Sequence, residues 1–211
     1  MKRVGRLHVL TDTALQKRFS HADLARLAIA GGADAIQYRQ KQGSTREMIE
    51  TASELYAICC DAGVDFIVND RIDVAMASGA HGVHLGQDDF PIARAREILG
   101  PDVVIGGSAA TFSEAEACLA QGADYIGFGP VFPTGSKADA GPVSGLNALE
   151  KLRDMANVPI IAIGGIDETN AAAVVKAGAH GVAVISSVCC QEDPREAARR
   201  LFESLRAGQK G

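Results

Sequence analysis

A repeated glycine–alanine step constrains the fold of this chain more than any other feature. It occurs in four segments, AGGADAIQYR, ASGAHGVHLG, AQGADYIGFG and KAGAHGVAVI, each with small residues before the step and a short apolar stretch after it. Gly32, Gly79, Gly122 and Gly178 stand where a helix end favours a left-handed residue. The step therefore predicts four junctions at which a helix ends and a strand begins.

Further apolar, β-branched stretches lie before and between these junctions. They are RLHVLTD (6–12), VDFIVND (64–70), VVIGGS (103–108) and VPIIAIGGI (158–166). Helical patterns such as TREMIETASELYAICC and SEAEACLA separate the strands. Eight strands that alternate with helices favour a parallel sheet with the helices packed outside it.

The length of the chain fits a closed barrel. Eight units in 211 residues leave about 26 residues per unit, enough for one strand, one helix and two loops. We therefore predict a single-domain (β/α)8 TIM barrel over residues 1–211. A doubly wound open sheet is the alternative, but TDTAL stands where that fold often carries G-x-G-x-x-G.

Composition excludes several classes of protein. Hydrophobic residues make up 47% of the chain, which argues against a disordered protein, and a net charge of −5 without a basic run argues against nucleic-acid binding. No apolar stretch reaches the roughly 18 residues of a membrane span. Five cysteines without a C-x-x-C spacing suggest reduced thiols, so we expect a cytoplasmic protein.

Polar residues follow the predicted strands on the side where barrel enzymes hold their active sites. The second strand ends in QYRQK, and its two-residue period places Gln37, Arg39 and Lys41 on one face. Two cations at a barrel mouth need an anionic partner. They form either an anion-binding set or a salt-bridge network that closes the barrel.

Acidic residues follow the third and fourth strands. Asn69 and Asp70 end one strand, and Asp89 follows the next. Carboxylates at neighbouring strand ends can share one hard cation, and Mg²⁺ commonly joins such carboxylates to a substrate phosphate. This placement predicts a magnesium–diphosphate site. Alternatively, Asp70 and Asp89 cap the helices that follow them.

Small polar residues follow the remaining strands. Ser108 is predicted on an exposed turn, as a ligand contact or a helix cap. Hydroxyl groups, a lysine and glycines suited to phosphate oxygens come after the sixth and seventh strands: Thr134, Ser136, Lys137, Gly164 and Gly165. A solvated polar loop is the alternative for the first three.

Two phosphate-handling regions at one mouth indicate a reaction that joins two phosphorylated small molecules. No nucleophile–base pair stands out, because His81 and His180 belong to the repeated helix-end motif. His84 fits a hydrogen-bonded histidine inside the barrel better than a base. This pattern is typical of a reaction driven by stabilisation of a leaving group.

Five motifs in the chain resemble the thiamine phosphate synthase family. QYRQK, VNDRIDVA, GVHLGQDD, GPVFPTGSK and IAIGGI occur in the family's order, and the resemblance covers nearly the whole chain. It implies a transferase that couples 4-amino-5-hydroxymethyl-2-methylpyrimidine diphosphate to 4-methyl-5-(2-hydroxyethyl)thiazole phosphate. Pyrophosphate would leave first in a dissociative mechanism assisted by Mg²⁺, the implied cofactor.

The resemblance also implies a role for each matching residue. The pyrimidine diphosphate would contact Gln37, Arg39, Lys41, Asn69, Ser108 and Lys137. The thiazole phosphate would contact Thr134, Ser136, Gly165, Ile185 and Ser186. Asp70 and Asp89 would bind Mg²⁺. The catalytic cations, which stabilise charge on the leaving group, would be Arg39, Lys41 and Lys137.

The chain departs from the family pattern at three positions. Gln40 replaces a frequent acid, Ala110 a frequent histidine and Ser136 a usual threonine. A related thiazole tautomerase is one alternative, although that branch tends to lack the motifs around Asn69 and Asp89. A non-catalytic regulator that binds thiazole phosphate is another. In each case the partners would be small molecules, and the chain could also form a homodimer.

Overall fold

Eight short parallel strands pair side by side and close into a barrel in the computed structural model, which describes residues 2–136 and 141–209. Each strand pairs with the next, and the eighth pairs with the first. The predicted TIM barrel is confirmed. The strands are β1 (Leu7–Thr11), β2 (Ala35–Tyr38), β3 (Asp65–Asn69), β4 (Gly82–Leu85), β5 (Val104–Ala109), β6 (Tyr125–Phe128), β7 (Ile160–Ile163) and β8 (Gly181–Val184).

Helices alternate with the strands, and a four-residue helix precedes the last one. They are α1 (His21–Ala30), α2 (Thr45–Ala62), α3 (Ile72–Ser78), α4 (Ile92–Leu99), α5 (Phe112–Ala120), α6 (Gly145–Met155), α7 (Ala171–Lys176), α8 (Ser186–Cys189) and α9 (Pro194–Gln209). Serine or threonine begins α1, α2 and α5, and an acid three residues later completes a capping box in each. These helix starts are encoded locally.

The glycine of the repeated step adopts the predicted backbone conformation at all four junctions. Its φ angle is 106° at Gly32, 73° at Gly79, 86° at Gly122 and 107° at Gly178. Residues with a Cβ rarely adopt these angles. At Gly178 a Cβ would also lie 2.3 Å from Cδ of Arg153. Each step therefore ends a helix and turns the chain into the next strand.

The strands separate two hydrophobic layers. The larger one packs between strands and helices and includes Ile36 and Tyr38 of β2. The smaller one includes Tyr125 and Ile161, and Gln37 lies beside these two in the wall of a small internal cavity. The predicted alternation of faces along β2 is thus confirmed. Because β2 ends at Tyr38, the strand period does not reach Arg39 or Lys41, which follow in the loop.

All five cysteines are free thiols, in agreement with their spacing. Burial raises the pKa of Cys59 and of Cys189 to about 12, so both are held as neutral thiols. Within residues 2–136 and 141–209, no helix combines the length and the apolarity needed to cross a membrane.

Asp124 ties together the end of the barrel opposite the mouth. Its carboxylate accepts hydrogen bonds from the backbone N of Ile105 at 2.8 Å, from Nη2 of Arg96 at 2.6 Å and from Nζ of Lys2 at 3.0 Å. Burial raises the pKa of Asp124, but these three donors outweigh it and hold the pKa below its ordinary value. The ionised carboxylate therefore stabilises the fold.

We expect Asp124→Asn to lower the free energy of unfolding at pH 7 by roughly 1–3 kcal/mol, the usual contribution of hydrogen bonds to a charged group. The folded pKa lies below the unfolded one, so the stabilisation is present above the unfolded pKa and disappears as the pH falls through the folded pKa. Urea unfolding at pH 7 and at about pH 2.5 measures both effects. A wild-type advantage that does not shrink in acid would contradict this role.

Candidate active site

The mouth of the barrel opens into a cavity of about 310 Å³ at the carboxyl ends of the strands. Residues of the loops after β4 to β8 line it. All five residues predicted to surround the thiazole phosphate lie in its wall: Thr134, Ser136, Gly165, Ile185 and Ser186. The structure thus brings together residues that lie up to 52 positions apart in the sequence.

Hydroxyl groups from two loops meet at one side of this cavity. The backbone N of Ser136 donates to Oγ1 of Thr134 at 3.2 Å, which folds the loop after β6 on itself. Oγ of Ser136 lies 3.0 Å from Oγ of Ser186, which follows β8. Three neighbouring hydroxyls can each donate a hydrogen bond to an oxyanion. The pair Thr134 and Ser136 therefore belongs to an ordered cavity wall rather than to a freely solvated loop.

Gly165 allows the loop after β7 to approach the loop after β6. Its φ angle is 63°, and a Cβ would lie 2.4 Å from the carbonyl oxygen of Pro133. Nδ2 of Asn170 donates to the Gly165 carbonyl at 2.9 Å and fixes the turn. Glycine is therefore required here for the shape of the cavity. Lys137, the remaining predicted residue of this region, lies outside the described residues.

A smaller cavity of about 30 Å³ lies inside the barrel and shares Ser108 with the larger one. Gln37 and Asn69 also line it, so three residues predicted to bind the pyrimidine diphosphate share this wall. Gln37 and Asn69 are buried, and both belong to the wall of this cavity. Their side-chain amides can donate and accept hydrogen bonds, so both can bind a ligand there.

His84 connects this small cavity to Ser108. Its Nε2 lies 2.8 Å from Oγ of Ser108, and its Nδ1 lies 2.9 Å from the hydroxyl of Tyr125. The prediction of a hydrogen-bonded histidine inside the barrel is confirmed. Ser108 belongs to β5 instead of an exposed turn, and Thr111 caps the next helix, so the capping alternative for Ser108 is wrong. Sequence reasoning missed that His84 orients this hydroxyl.

Both cations after β2 are paired with carboxylates from neighbouring strand ends. Nη1 of Arg39 pairs with Asp12, which follows β1, and Nζ of Lys41 pairs with Asp70, which follows β3. The salt-bridge network weighed for this strand end is therefore present. Lys41 lies beside Asp70 because the end of β2 adjoins the end of β3 in the barrel.

The carboxyl groups of Asp70 and Asp89 are close enough for each to shift the pKa of the other. Burial raises the pKa of Asp89, and the Asp70 carboxylate raises it further. Burial acts on Asp70 in the same direction, but hydrogen bonds with Lys41 and Asp89 outweigh it and bring the pKa of Asp70 below its ordinary value. A cation bound between the two groups would stabilise their ionised forms, because it would offset the negative charge that they bring together.

Neither member of this pair caps a helix, so that alternative is wrong for both. The N-cap residues of α3 and α4 are Arg71 and Pro91, without side-chain capping bonds. Asp89 instead accepts a hydrogen bond from the backbone N of Gly86 at 2.7 Å. Asp70 has a φ angle of 66°, which makes it the one non-glycine residue with positive φ in the described chain.

The two carboxylates fit the ligand preference of Mg²⁺. This ion prefers oxygen ligands and is usually held by one or two carboxylates, with waters and phosphate oxygens in the remaining positions. Within the described residues, no group of three or more histidine, cysteine, aspartate or glutamate side chains is placed to hold a metal. A pair of acids beside a cation-lined mouth is the arrangement that a magnesium–diphosphate site needs.

Two contacts of the mouth were not foreseen. Asp12 was not predicted to belong to the site, yet it directly follows β1 at the edge where the other polar residues gather. The rule that polar residues at strand ends build the site would have selected it. Gln87 donates from Nε2 to the Ser108 carbonyl at 2.6 Å and lines the larger cavity. Nothing in its local sequence indicates that contact.

Comparison with known proteins points to one family. A sequence model of the family described as thiamine monophosphate synthase matches residues 7–188. A thiamine-phosphate synthase of Salinibacter ruber is 51% identical over 97% of this chain and 90% of its own. One of Methanocella arvoryzae is 53% identical, with 92% of each chain covered. The solved structure of a thiamine phosphate pyrophosphorylase from Pyrococcus furiosus is 42% identical, covers 96% of each chain and superimposes with a TM-score of 0.89.

Proposed function

The chain belongs to the thiamine monophosphate synthase family, and from that premise we propose how its two polar regions divide the reaction. The protein is an enzyme, a transferase that couples a pyrimidine moiety to a thiazole moiety. We propose that the pyrimidine enters as its hydroxymethyl diphosphate and the thiazole as its hydroxyethyl phosphate. Thiamine phosphate and pyrophosphate are then the products.

The observation that carries this proposal is the separation of two kinds of polar group at one mouth. Hydroxyls and a close-approach glycine line the cavity after β6 to β8. Cations and paired carboxylates gather after β1 to β4. The first set suits a phosphate monoester held by neutral donors, and the second suits a diphosphate carried with a metal ion.

We propose that the pyrimidine ring binds to the buried amides of Gln37 and Asn69 and to the hydroxyl of Ser108. These groups can donate and accept hydrogen bonds, as a ring with an amino group and ring nitrogens requires. His84 holds the Ser108 hydroxyl at 2.8 Å. The ring would therefore bind toward the barrel axis, with its diphosphate directed to the mouth.

We assign binding of the negatively charged diphosphate to Arg39 and Lys41. Lys137 is the predicted third cation that contacts it. Asp70 and Asp89 would hold Mg²⁺, which when bound neutralises negative charge on phosphate oxygens. Negative charge on the leaving group grows as its bond to the pyrimidine methylene lengthens. Cations already fixed at that position stabilise the transition state more than the ground state.

A dissociative order of events fits the residues of the mouth. Pyrophosphate departs with the electron pair of the bond to the methylene carbon and leaves a pyrimidine methyl cation. The thiazole nitrogen then donates its lone pair to that carbon and forms the new bond. No side chain has to act as a nucleophile in this sequence, and the chain contributes binding, orientation and electrostatic stabilisation.

Thiazole tautomerase and a non-catalytic binder of thiazole phosphate are the alternative functions. Both need only the hydroxyl-lined cavity. Neither explains why Lys41, Asp70 and Asp89 form a charged cluster at a second region of the mouth. The proposed enzyme is cytoplasmic and acts on small molecules, and a homodimer is one assembly open to it.

We expect Thr134→Val to weaken binding of the thiazole phosphate selectively. Valine keeps the size of the side chain and removes one hydrogen bond to a charged oxygen, which contributes roughly 1.5–3 kcal/mol, or about 10- to 150-fold in affinity. Binding of the pyrimidine diphosphate should change by less than about threefold. Calorimetric titration of each substrate measures both affinities.

The matched control is Thr169→Val, the same change on an exposed turn where Oγ1 donates to Asp167 at 2.6 Å. It should leave both affinities at the wild-type value. Equal losses for the two substrates in Thr134→Val would argue against two separate phosphate regions.

The proposed function is tested by incubating the wild type with both substrates and Mg²⁺ and identifying the products by mass spectrometry. Thiamine phosphate and pyrophosphate should appear in equal amounts, and a chelator should stop their formation. Isomerisation of a thiazole substrate without coupling would instead identify a tautomerase. Binding without any conversion would identify a regulator.

A further inference from the structure

Asp12 divides its two carboxylate oxygens between two tasks. Oδ1 accepts hydrogen bonds from the backbone N of Ala14 at 2.7 Å and of Leu15 at 3.1 Å, which shapes the turn after β1. Oδ2 pairs with Nη1 of Arg39. Only 1% of the residue is exposed, so the carboxylate is held rigidly and out of solvent. One oxygen thus accepts the hydrogen bonds of the turn, and the other accepts the hydrogen bond of Arg39.

The Arg39 guanidinium depends on this single acceptor within the described residues. Its side chain is 14% exposed, and its Nε is buried without a hydrogen-bond partner in the part of the chain that the structure describes. A guanidinium has five N–H donors in a fixed plane. With one of them engaged by Asp12 and the others unassigned, the orientation of that plane is set mainly by the Asp12 carboxylate.

The backbone around Arg39 is fixed by other contacts. The backbone N of Arg39 donates to the carbonyl of Thr11 at 3.2 Å. Nδ1 of His21 lies 2.8 Å from Oγ1 of Thr11, and its Nε2 lies 2.8 Å from Oε1 of Gln40. The ring of His21 thus joins the end of β1 to the residue after Arg39. Asp12 is therefore not needed to place the Arg39 backbone, only its side chain.

We propose that Asp12 is a positioning residue for the transfer reaction, which aims the Arg39 guanidinium at the departing pyrophosphate. The inference rests on the proposed role of Arg39 in binding the diphosphate. Asp12 itself lines neither of the two cavities of the site. It fixes the direction of the cation before the leaving-group charge develops, so that no reorientation is needed in the transition state.

The division of oxygens makes Asp12→Asn a selective variant. With its Oδ1 kept toward Ala14 and Leu15, the asparagine retains the turn and presents an NH₂ group to Arg39 in place of an acceptor. The turn after β1 therefore keeps its hydrogen bonds, and Arg39 loses the carboxylate oxygen that orients it. If this variant does not fold, Asp12→Ser keeps one oxygen for the turn and removes the second.

We expect Asp12→Asn to lower kcat by about 10- to 100-fold, the usual effect of a misplaced catalytic group. KM for the pyrimidine diphosphate should change by less than about threefold, because two effects oppose each other. Loss of the negative charge of Asp12 favours binding of an anion, and loss of the fixed orientation of Arg39 disfavours it. Destabilisation alone would lower the active fraction and would not depend on the presence of Arg39.

A double-mutant cycle with Arg39→Gln tests whether Asp12 acts through Arg39. In the Arg39→Gln background, Asp12→Asn should reduce kcat by less than about threefold, because the group that it positions is absent. The same loss in both backgrounds would overturn the proposal. Full activity of Arg39→Gln alone would also overturn it, by removing Arg39 from the reaction.

A nuclear magnetic resonance experiment tests the orientation without any substrate. The buried Nε–H of Arg39 should give a protected side-chain ¹H–¹⁵N signal, assigned by its loss in Arg39→Gln. Asp12→Asn should shift this signal or broaden it beyond detection. The control Asp124→Asn alters a comparable aspartate–arginine pair at the far end of the barrel and should leave both the signal and kcat unchanged.

The two readouts separate the inference from the proposed function. A wild type that makes no thiamine phosphate refutes the proposed function, whatever the spectrum shows. An active wild type whose kcat and Arg39 signal are both unaffected by Asp12→Asn refutes the positioning role alone.

Discussion

Asp70→Asn is expected to lower turnover by on the order of 100-fold or more at saturating Mg²⁺, with the fold intact. The substitution removes one of two neighbouring carboxylates and leaves Lys41 without its partner. Asparagine is preferable to alanine because it tolerates the left-handed backbone at this residue, where φ is 66°. Asp89→Asn should have a similar effect, since both carboxylates are assigned to the metal.

Steady-state kinetics and calorimetric titration with Mg²⁺ or Mn²⁺ measure this prediction in two independent ways. Metal affinity should fall in both variants. Asp73→Asn is the matched control, because Asp73 is a nearby exposed aspartate that pairs with Arg71 on the outer surface. Near-wild-type activity of Asp70→Asn or Asp89→Asn would remove that residue from the metal site.

Lys41→Met should lower kcat by on the order of 100-fold, with a much smaller change in KM for the thiazole phosphate. Methionine keeps an unbranched apolar stem and removes the charge that meets the leaving group. The same change releases Asp70 from its ion pair, so metal affinity should rise while turnover falls. This opposite movement distinguishes a leaving-group cation from a lysine that merely stabilises the fold.

Lys151→Met on α6 provides the control, since Lys151 is exposed and distant in sequence from every strand end of the mouth. Its kinetics should match the wild type. A tautomerase or a simple thiazole phosphate binder has no diphosphate to lose and should tolerate Lys41→Met. If Lys41→Met forms thiamine phosphate at the wild-type kcat, the lysine is structural and the assignment of the second strand end is wrong.

The barrel could be predicted from local sequence because its signals are local. Gly79 and Gly178 end helices through their own backbone freedom, and Ser44 begins one through its own hydroxyl. Strand ends were less well defined. The polar alternation through Lys41 resembles a strand, but β2 stops at Tyr38, because pairing with its neighbours ends there.

The composition of the site was predictable and its pairings were not. Residues at strand ends must meet at the mouth, which is why Thr134 and Ser186 share one cavity. Which acid pairs with which cation depends on distances across the barrel that no local pattern encodes. Thus no local pattern indicated that Asp12 pairs with Arg39, or which of the neighbouring acids pairs with Lys41.

The division of the mouth into two phosphate regions is tested most directly by a crystal structure with thiamine phosphate, pyrophosphate and Mg²⁺ bound. We predict the phosphate of thiamine phosphate against the hydroxyls of Thr134, Ser136 and Ser186. Pyrophosphate should contact Lys41 and share a magnesium ion with Asp70 and Asp89. A pyrophosphate in the hydroxyl-lined cavity, or a metal bound away from both aspartates, would contradict the account.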